Sequence, residues 1–197
     1  MVYIELKFAV LGNSLPSDHG YALFASISKL IPEAHSAEWL AVETIQGAKR
    51  GDGSIQLNPR AKLRMRCPQN RVPLLLKLAG KRLDVDGSVI RLSVPEINLL
   101  KPASSLYARC VTIKNHTEPE SFLTAVAHKL DESGIKGEPE LGNRRVFKVG
   151  NHHIIGYTLS IHDLRDEDSL VLQEQGLGGR RRMGCGFFVP ISHKKTF

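Results

Sequence analysis

The residues from Gly176 to Gly186 read Gly-Leu-Gly-Gly-Arg-Arg-Arg-Met-Gly-Cys-Gly, five glycines in eleven positions around three consecutive arginines. Glycine lets backbone N–H groups come close to an anion. Arg180, Arg181 and Arg182 add guanidinium groups suited to bidentate contact with phosphate. The segment is not a Walker loop: Gly179 and Gly184 have the spacing, but Cys185 and Gly186 stand where Lys and Ser or Thr are required. It is not a dinucleotide fingerprint either, because a strand is expected after it where that motif needs a helix. A polymer backbone fits better than a small nucleotide, with Gly178, Gly179 and the three arginines as contacts. The plain alternative is a flexible, solvated loop.

Charge elsewhere points the same way. The chain of 197 residues carries a net charge of +7, and between Gly53 and Leu83 there are eight Lys or Arg and no acid. Within that stretch Arg60, Lys62, Arg64 and Arg66 recur every second residue. On a strand they share one face, spaced roughly 6.6–6.8 Å apart, which suits the tracking of phosphates. A solvated strand face is the alternative. Arg144, Arg145 and Lys148 form a third cluster. Aromatic residues make up only 6% of the chain, which favours recognition of a folded RNA by shape and backbone over base stacking. Cys67, Cys110 and Cys185 are scattered, and neither Cys-x-x-Cys nor His-x-x-x-His spacing occurs. The expectation is reduced thiols in a cytoplasm, with no zinc site, no metal and no small-molecule cofactor. No apolar run reaches the length of a membrane span, and the early charges in Met-Val-Tyr-Ile-Glu-Leu-Lys-Phe do not fit a secretory signal.

The elements that must carry these groups follow from periodicity. Val2–Leu11 alternates, with Ile4, Leu6, Phe8 and Val10 on one face and Glu5 and Lys7 on the other, as a half-buried strand does. Leu23, Ile27, Leu30 and Ile31 have helical spacing, with Asp18 as a cap and Pro32 as the stop. Trp39–Ile45, Ile55–Leu57 and Lys62–Arg66 read as strands, Arg71–Ala79 as a helix and Val89–Val94 as a strand. After a linker at Lys101–Ser105 the order begins again. Leu106–Lys114 is a strand with Tyr107, Arg109, Val111 and Ile113 on one face. A capping box at Thr117–Glu120 opens a helix with Phe122, Val126 and Leu130. A hairpin spans Val146–Val149 and Ile154–Ile161. Asp163 caps a helix with an acidic first turn, Gly176 ends it, and Phe187–Ile191 is the last strand. The fold expected is α+β: two tandem ferredoxin-like, RRM-like βαββαβ domains, at 1–103 and 104–197.

Glu174-Gln-Gly-Leu-Gly-Gly-Arg-Arg-Arg-Met-Gly-Cys-Gly-Phe-Phe-Val-Pro190, placed between the last helix and last strand of such a domain, resembles the glycine-rich loop of the RAMP superfamily. It is most similar to the CRISPR repeat-processing endoribonucleases, in the subtype of myxobacterial and cyanobacterial type I systems. Leu15-Pro-Ser-Asp-His-Gly-Tyr-Ala-Leu-Phe24 and Leu106-Tyr-Ala-Arg-Cys-Val-Thr-Ile-Lys114 resemble the same subtype. The resemblance spans nearly the whole chain. It implies binding of CRISPR repeat RNA, one cut per repeat in the precursor, retention of the 3′ hairpin, and assembly with other subunits of the effector complex. A non-catalytic RNA-binding subunit of that complex is the second reading.

RNA can be cut without a metal by a base for the 2′-OH, an acid for the leaving 5′-oxygen and positive charge on the phosphorane. Of eight histidines, His19 and His35 bracket the first helix, the region where the resemblance implies the catalytic histidine. His35 follows the helix, as in archaeal members, and is favoured. His19 stands at the helix start beside Tyr21. Each has a structural alternative: His19 as a helix cap, His35 as an exposed loop residue. Tyr21, Ser36 and Lys49 are supporting candidates. His152 and His153 are adjacent in a hairpin turn and project to opposite faces, which makes them a poor acid–base pair.

Overall fold

The computed structural model of this chain describes residues 2–150 and 152–191; Asn151, in the turn expected at Gly150–Asn151 of the hairpin, and Lys194 and Lys195, part of the acid-free basic run from Gly176 to Phe197, lie outside them. Two compact units are formed. One holds residues up to Leu99 with Phe147–His152 and Arg181–Gly184; the other holds Leu100–Val146, His153–Arg180 and the residues from Cys185 on.

In the first unit the strands are β1 (Tyr3–Leu11), β2 (Ser14–Pro16), β3 (Ala41–Val42), β4 (Ala48–Lys49), β5 (Ser54–Gln56), β6 (Lys62–Pro68), β7 (Arg82–Val85), β8 (Ser88–Leu92) and β9 (Glu96–Leu99). The helices are α1 (Gly20–Leu30) and α2 (Val72–Leu75). The main sheet runs β3-β6-β1-β8-β7, with β9 also on β1, and β2-β5-β4 form a small second sheet. Antiparallel pairing sets Leu6 opposite Met65 and Phe8 opposite Leu63, so alternate residues of both strands face α1. Leu6, Phe8, Leu63 and Met65 are fully buried together with Ile27 and Ile31.

The second unit contains β10 (Leu106–Val111), α3 (Pro119–Glu132), β11 (Glu138–Val149), β12 (His152–His162), α4 (Asp166–Gln175) and β13 (Phe188–Pro190). Its sheet order is β11-β12-β10-β13. Counted as the first to fourth strands of βαββαβ, both units follow the order 2-3-1-4, so each is a ferredoxin-like fold. Phe122, Val126 and Leu130 of α3, spaced four apart, pack on Leu106, Ala108, Leu159 and Phe188.

Several local expectations are corrected. The run Trp39–Ile45 yields only the two residues of β3; Leu40, Val42 and Ile45 are buried, so its hydrophobicity encodes burial and not strand pairing. The helix expected over Arg71–Ala79 is α2 alone, flanked by 3₁₀ turns, with Pro73 unable to donate a backbone bond. β2, β4, β7 and β9 form where the sequence pattern marks no strand. Asp18 does not cap α1; its carboxylate accepts from the Lys148 N–H. The capping box does not form: Glu118 holds the N-cap position without a side-chain bond, and the Thr117 carbonyl accepts from the Tyr157 hydroxyl at 2.6 Å. Asp163 is a left-handed turn residue (φ +54°). At the start of α4 the Arg165 guanidinium instead clasps Asp168 at 2.8 and 3.0 Å. A bulge between Ala108 and Val111 buries Leu106 and Ala108 with Val111 and Ile113, where simple alternation grouped Tyr107 and Arg109 with the latter pair. No helix among the described residues is long and apolar enough to cross a membrane.

Candidate nucleic-acid interface and histidine site

α1 ends at Ile31, whose N–H closes on the Ile27 carbonyl, and Pro32 starts a 3₁₀ turn over Pro32–Ser36. That turn buries Ala34 and leaves His35 exposed. The imidazole lies over Phe24 of α1, with centroids 6.3 Å apart and planes 18° from parallel. Arg182 lies over the same phenyl ring at 5.2 Å, and its Nη1 donates to the His35 carbonyl and, at 3.5 Å, to that of Ala34. The ring of His35 and the backbone of its turn are therefore both held, while the imidazole edge stays open to solvent. Two glycines permit this approach. A Cβ on Gly20 would stand 2.3 Å from the Met183 carbonyl oxygen, and one on Gly184 would stand 2.4 Å from the Thr44 methyl. Tyr21 and Ser36 are exposed nearby in sequence, and Lys49 is exposed on β4. No hydrogen bond joins any of these three to His35 among the described residues.

His19 has a different environment. It is 2% exposed, its Nε2 accepts the Ile45 N–H at 3.0 Å, and its Nδ1 lies 2.8 Å from the Pro16 carbonyl. Accepting at Nε2 puts the proton on Nδ1, so a neutral imidazole staples the segment before α1 to the chain after β3. Both nitrogens are occupied, which corrects its candidacy as an acid or base. Its replacement by alanine leaves a buried N–H without this acceptor and is expected to cost about 1–3 kcal/mol. Urea unfolding measures that loss, and the folded fraction should keep its chemistry.

The glycine-arginine segment also departs from expectation. The Gly179 N–H donates to the Thr112 carbonyl and the Gly186 N–H to the Cys110 carbonyl, at 2.9 and 2.8 Å. Those groups fasten the loop to β10 and its extension and are not offered to an anion. Gly178 (φ +79°) is needed because a Cβ would stand 2.3 Å from the Thr112 oxygen. Of the arginines, Arg180 is exposed, whereas Arg181 and Arg182 are half-buried. Burial lowers the pKa of Arg181.

The cation row is corrected most. Arg60 is exposed and Lys62 and Arg64 are half-buried, but Arg66 is 1% exposed. Arg66 sits opposite Glu5 in the sheet and donates from Nε to it at 2.9 Å, with a second guanidinium nitrogen 2.8 Å away. Arg64 pairs with Glu43 and, at 3.7 Å, with Glu5; Lys62 pairs with Glu96 at 2.9 Å. Burial tends to raise the Glu5 pKa, but Arg66 and then Arg64 outweigh it and the net shift is downward. Burial holds Glu43 above the usual carboxylate range despite Arg64. Arg66 thus belongs to a buried charge network and cannot track phosphates. Arg60, Lys62 and Arg64 line a cavity of about 290 Å³ with Lys7, Glu43 and Gln46. Arg144 is exposed and Arg145 half-buried on the long ribbon β11–β12. Among the described residues no three His, Cys, Asp or Glu side chains converge as a metal cluster.

A sequence model of the family described as "Cas6 Crispr" matches residues 4–193. The chain belongs to the Cas6 family. It is 36% identical over 190 residues to the CRISPR-associated endonuclease Cas6 of Myxococcus xanthus (strain DK1622), covering 96% of this chain and 82% of that one. Among solved structures it superposes on a Cas6-related protein from Pyrococcus furiosus with a TM-score of 0.67, at 15% identity over 98% and 99% of the two chains. It also superposes on Thermus thermophilus Cse3, solved bound to an RNA representing a pre-cleavage complex, with a TM-score of 0.58 at 14% identity over 96% and 98%. At such identities the likeness speaks for the fold. Within this Cas6 fold, Phe24 and the link from Arg182 to His35 were not anticipated from sequence. A buried aromatic on α1 reads only as core, and the residues that meet are 147 positions apart.

Proposed function

We propose that this Cas6 chain binds CRISPR repeat RNA and cuts precursor transcripts into guide RNAs without a metal. The observation that carries the reading is His35, open to solvent yet fixed by Phe24 and by Arg182 of the glycine-rich segment. In the reaction the 2′-oxygen attacks phosphorus as a base takes its proton. The P–O5′ bond breaks as an acid protonates the leaving oxygen. The products are a 2′,3′-cyclic phosphate and a 5′-hydroxyl. His35 supplies one of the two proton transfers, and Tyr21 and Lys49 are candidates for the other or for charge stabilisation. Arg182, occupied with the Phe24 ring and the His35 carbonyl, acts as a positioning residue. Arg180, Arg60, Lys62, Arg144 and Arg145, with Gly178 and Gly179 shaping the loop, contact the RNA backbone. The protein works in the cytoplasm and stays on the 3′ hairpin within an effector complex of further subunits.

The test is cleavage of the cognate repeat RNA in EDTA, alongside a repeat carrying a single 2′-deoxy substitution at the cut. Cleavage in EDTA that the deoxy substitution blocks supports the route. Cleavage that requires added divalent cation overturns metal independence. Tight binding of the natural repeat with no cleavage under either condition overturns the enzyme and leaves a non-catalytic RNA-binding subunit.

A further inference from the structure

The second unit contains a groove of about 690 Å³. Its floor and one side come from the chain leaving β10 and from α3, and its other side is Gly178–Arg180. Phe122, Val126 and Leu130 turn α3 into the core, so His128 and Lys129, two and three residues beyond Val126, are left to face the groove. Lys114, His116 and Arg180 complete its charged lining. Lys114, Lys129 and Arg180 outnumber Glu132, the one acid there, so the lining is cationic.

The wall that carries Arg180 is built, not loose. Thr112 clasps Gly179 in both directions: its carbonyl accepts the Gly179 N–H at 2.9 Å, and its hydroxyl donates to the Gly179 carbonyl at 3.2 Å. Gly178 gives the clearance this needs. The next residue, Arg180, is then held at φ +59°, a left-handed conformation unfavourable to any side chain bearing a Cβ. Such conformations persist where surrounding structure over-determines them, and they cluster at ligand clamps. Here the outcome is an exposed guanidinium at the groove edge. His116 is likewise set in place, with Nδ1 2.6 Å from the Ser121 hydroxyl.

We propose that this groove holds an unpaired stretch of the RNA, about two or three nucleotides long. The volume is that of a small-ligand cleft, too small for a stem. Lys114, Lys129 and Arg180 suit phosphates, the two imidazoles offer rings and polar edges to bases, and Ile113 and Ala125 give an apolar floor. The inference rests on the RNA-processing reading. It adds that the nucleotides flanking the stem are a second determinant of affinity.

The test compares the full repeat RNA, with its unpaired flanks, against an RNA trimmed to the stem and cut site. Wild type is measured beside the double variant Lys114→Gln, Lys129→Gln. The expected result is a loss of about tenfold or more in affinity for the full repeat, unchanged affinity for the trimmed RNA, and an unchanged cleavage rate at saturating RNA. The salt dependence of full-repeat binding should fall by about 0.7 in log–log slope per lost contact. Equal losses for both RNAs would overturn the groove as a site for unpaired nucleotides. Unchanged binding of the full repeat would overturn it too. Wild type binding neither RNA would instead sink the RNA-processing reading, and this inference with it.

Discussion

His35→Ala lowers the single-turnover cleavage rate on repeat RNA by about 10²–10⁴-fold, the usual worth of a positioned acid or base, and leaves RNA affinity near wild type. The reason lies in how little else the residue does. His35 is exposed on a short turn, and that turn is held by its backbone: the Ala34 N–H bonds the Ile31 carbonyl, and Arg182 holds the carbonyls of residues 34 and 35. Removing the imidazole therefore loses one ring contact with Phe24 at the long end of stacking distance, worth about 0.5–1.5 kcal/mol at most. A large fall in rate with nearly unchanged unfolding would separate chemistry from folding. A variant that cleaves like wild type would show His35 to be a surface residue. The complementary variant is His19→Ala, for which the order of effects reverses.

The contrast between the two histidines shows what sequence can and cannot resolve. Both flank α1, and neither periodicity nor composition tells a buried staple from a solvent-facing imidazole. What separates them is the partner set: an N–H at Ile45 and a carbonyl at Pro16 for one, a phenyl face and a distant arginine for the other. The first helix was legible because Leu23, Ile27 and Ile31 repeat every fourth residue. The tandem βαββαβ order was legible because that signal recurs in α3. Fragmented elements were not: α2, β3 and β9 owe their lengths to proline placement and tertiary pairing, which a pattern of apolar residues does not encode.

The glycine-rich segment was half legible. Its composition marked it as special, and its role in letting backbones approach is real, but the backbones are the chain's own at Thr112, Leu177 and Thr44. Gly178, Gly184 and Gly186 each remove a clash of 2.3–2.4 Å within the fold. A phosphate cradle and a tight internal turn demand the same residue type, so only coordinates distinguish them. The groove beside α3 has no signature in the sequence for a related reason. Lys114, His116, His128 and Lys129 are spread over a loop and a helix among acids, and no linear charge run announces them.

The cation row failed on sign. Arg66 shares the strand period with Arg64 and Lys62, yet the carboxylates that claim all three come from 21 to 61 residues away. Its burial makes the second large prediction. Glu5→Gln removes the carboxylate that lies 2.8 Å from the guanidinium of Arg66, itself 1% exposed, and removing one partner of a buried ion pair costs about 3–5 kcal/mol. The double variant Glu5→Leu, Arg66→Met should recover most of that loss, since replacing a buried pair with apolar residues of similar size is often neutral or better. Urea unfolding at pH 7 measures both, and a Glu5→Gln midpoint equal to wild type would show that the pair contributes nothing. The pH dependence follows from sign. Glu5 titrates below its usual value in the folded chain, so its contribution is fully present above the unfolded pKa of about 4.3 and is lost as pH falls through the depressed folded value. Glu43 works the other way: its pKa is raised by burial, so the folded chain takes up that proton first, and the cost of keeping Glu43 charged is relieved as pH falls through the raised value. Wild-type stability should therefore hold as Glu43 protonates and then drop below about pH 4, whereas Glu5→Gln, already lacking the charge, should lose less over that last interval.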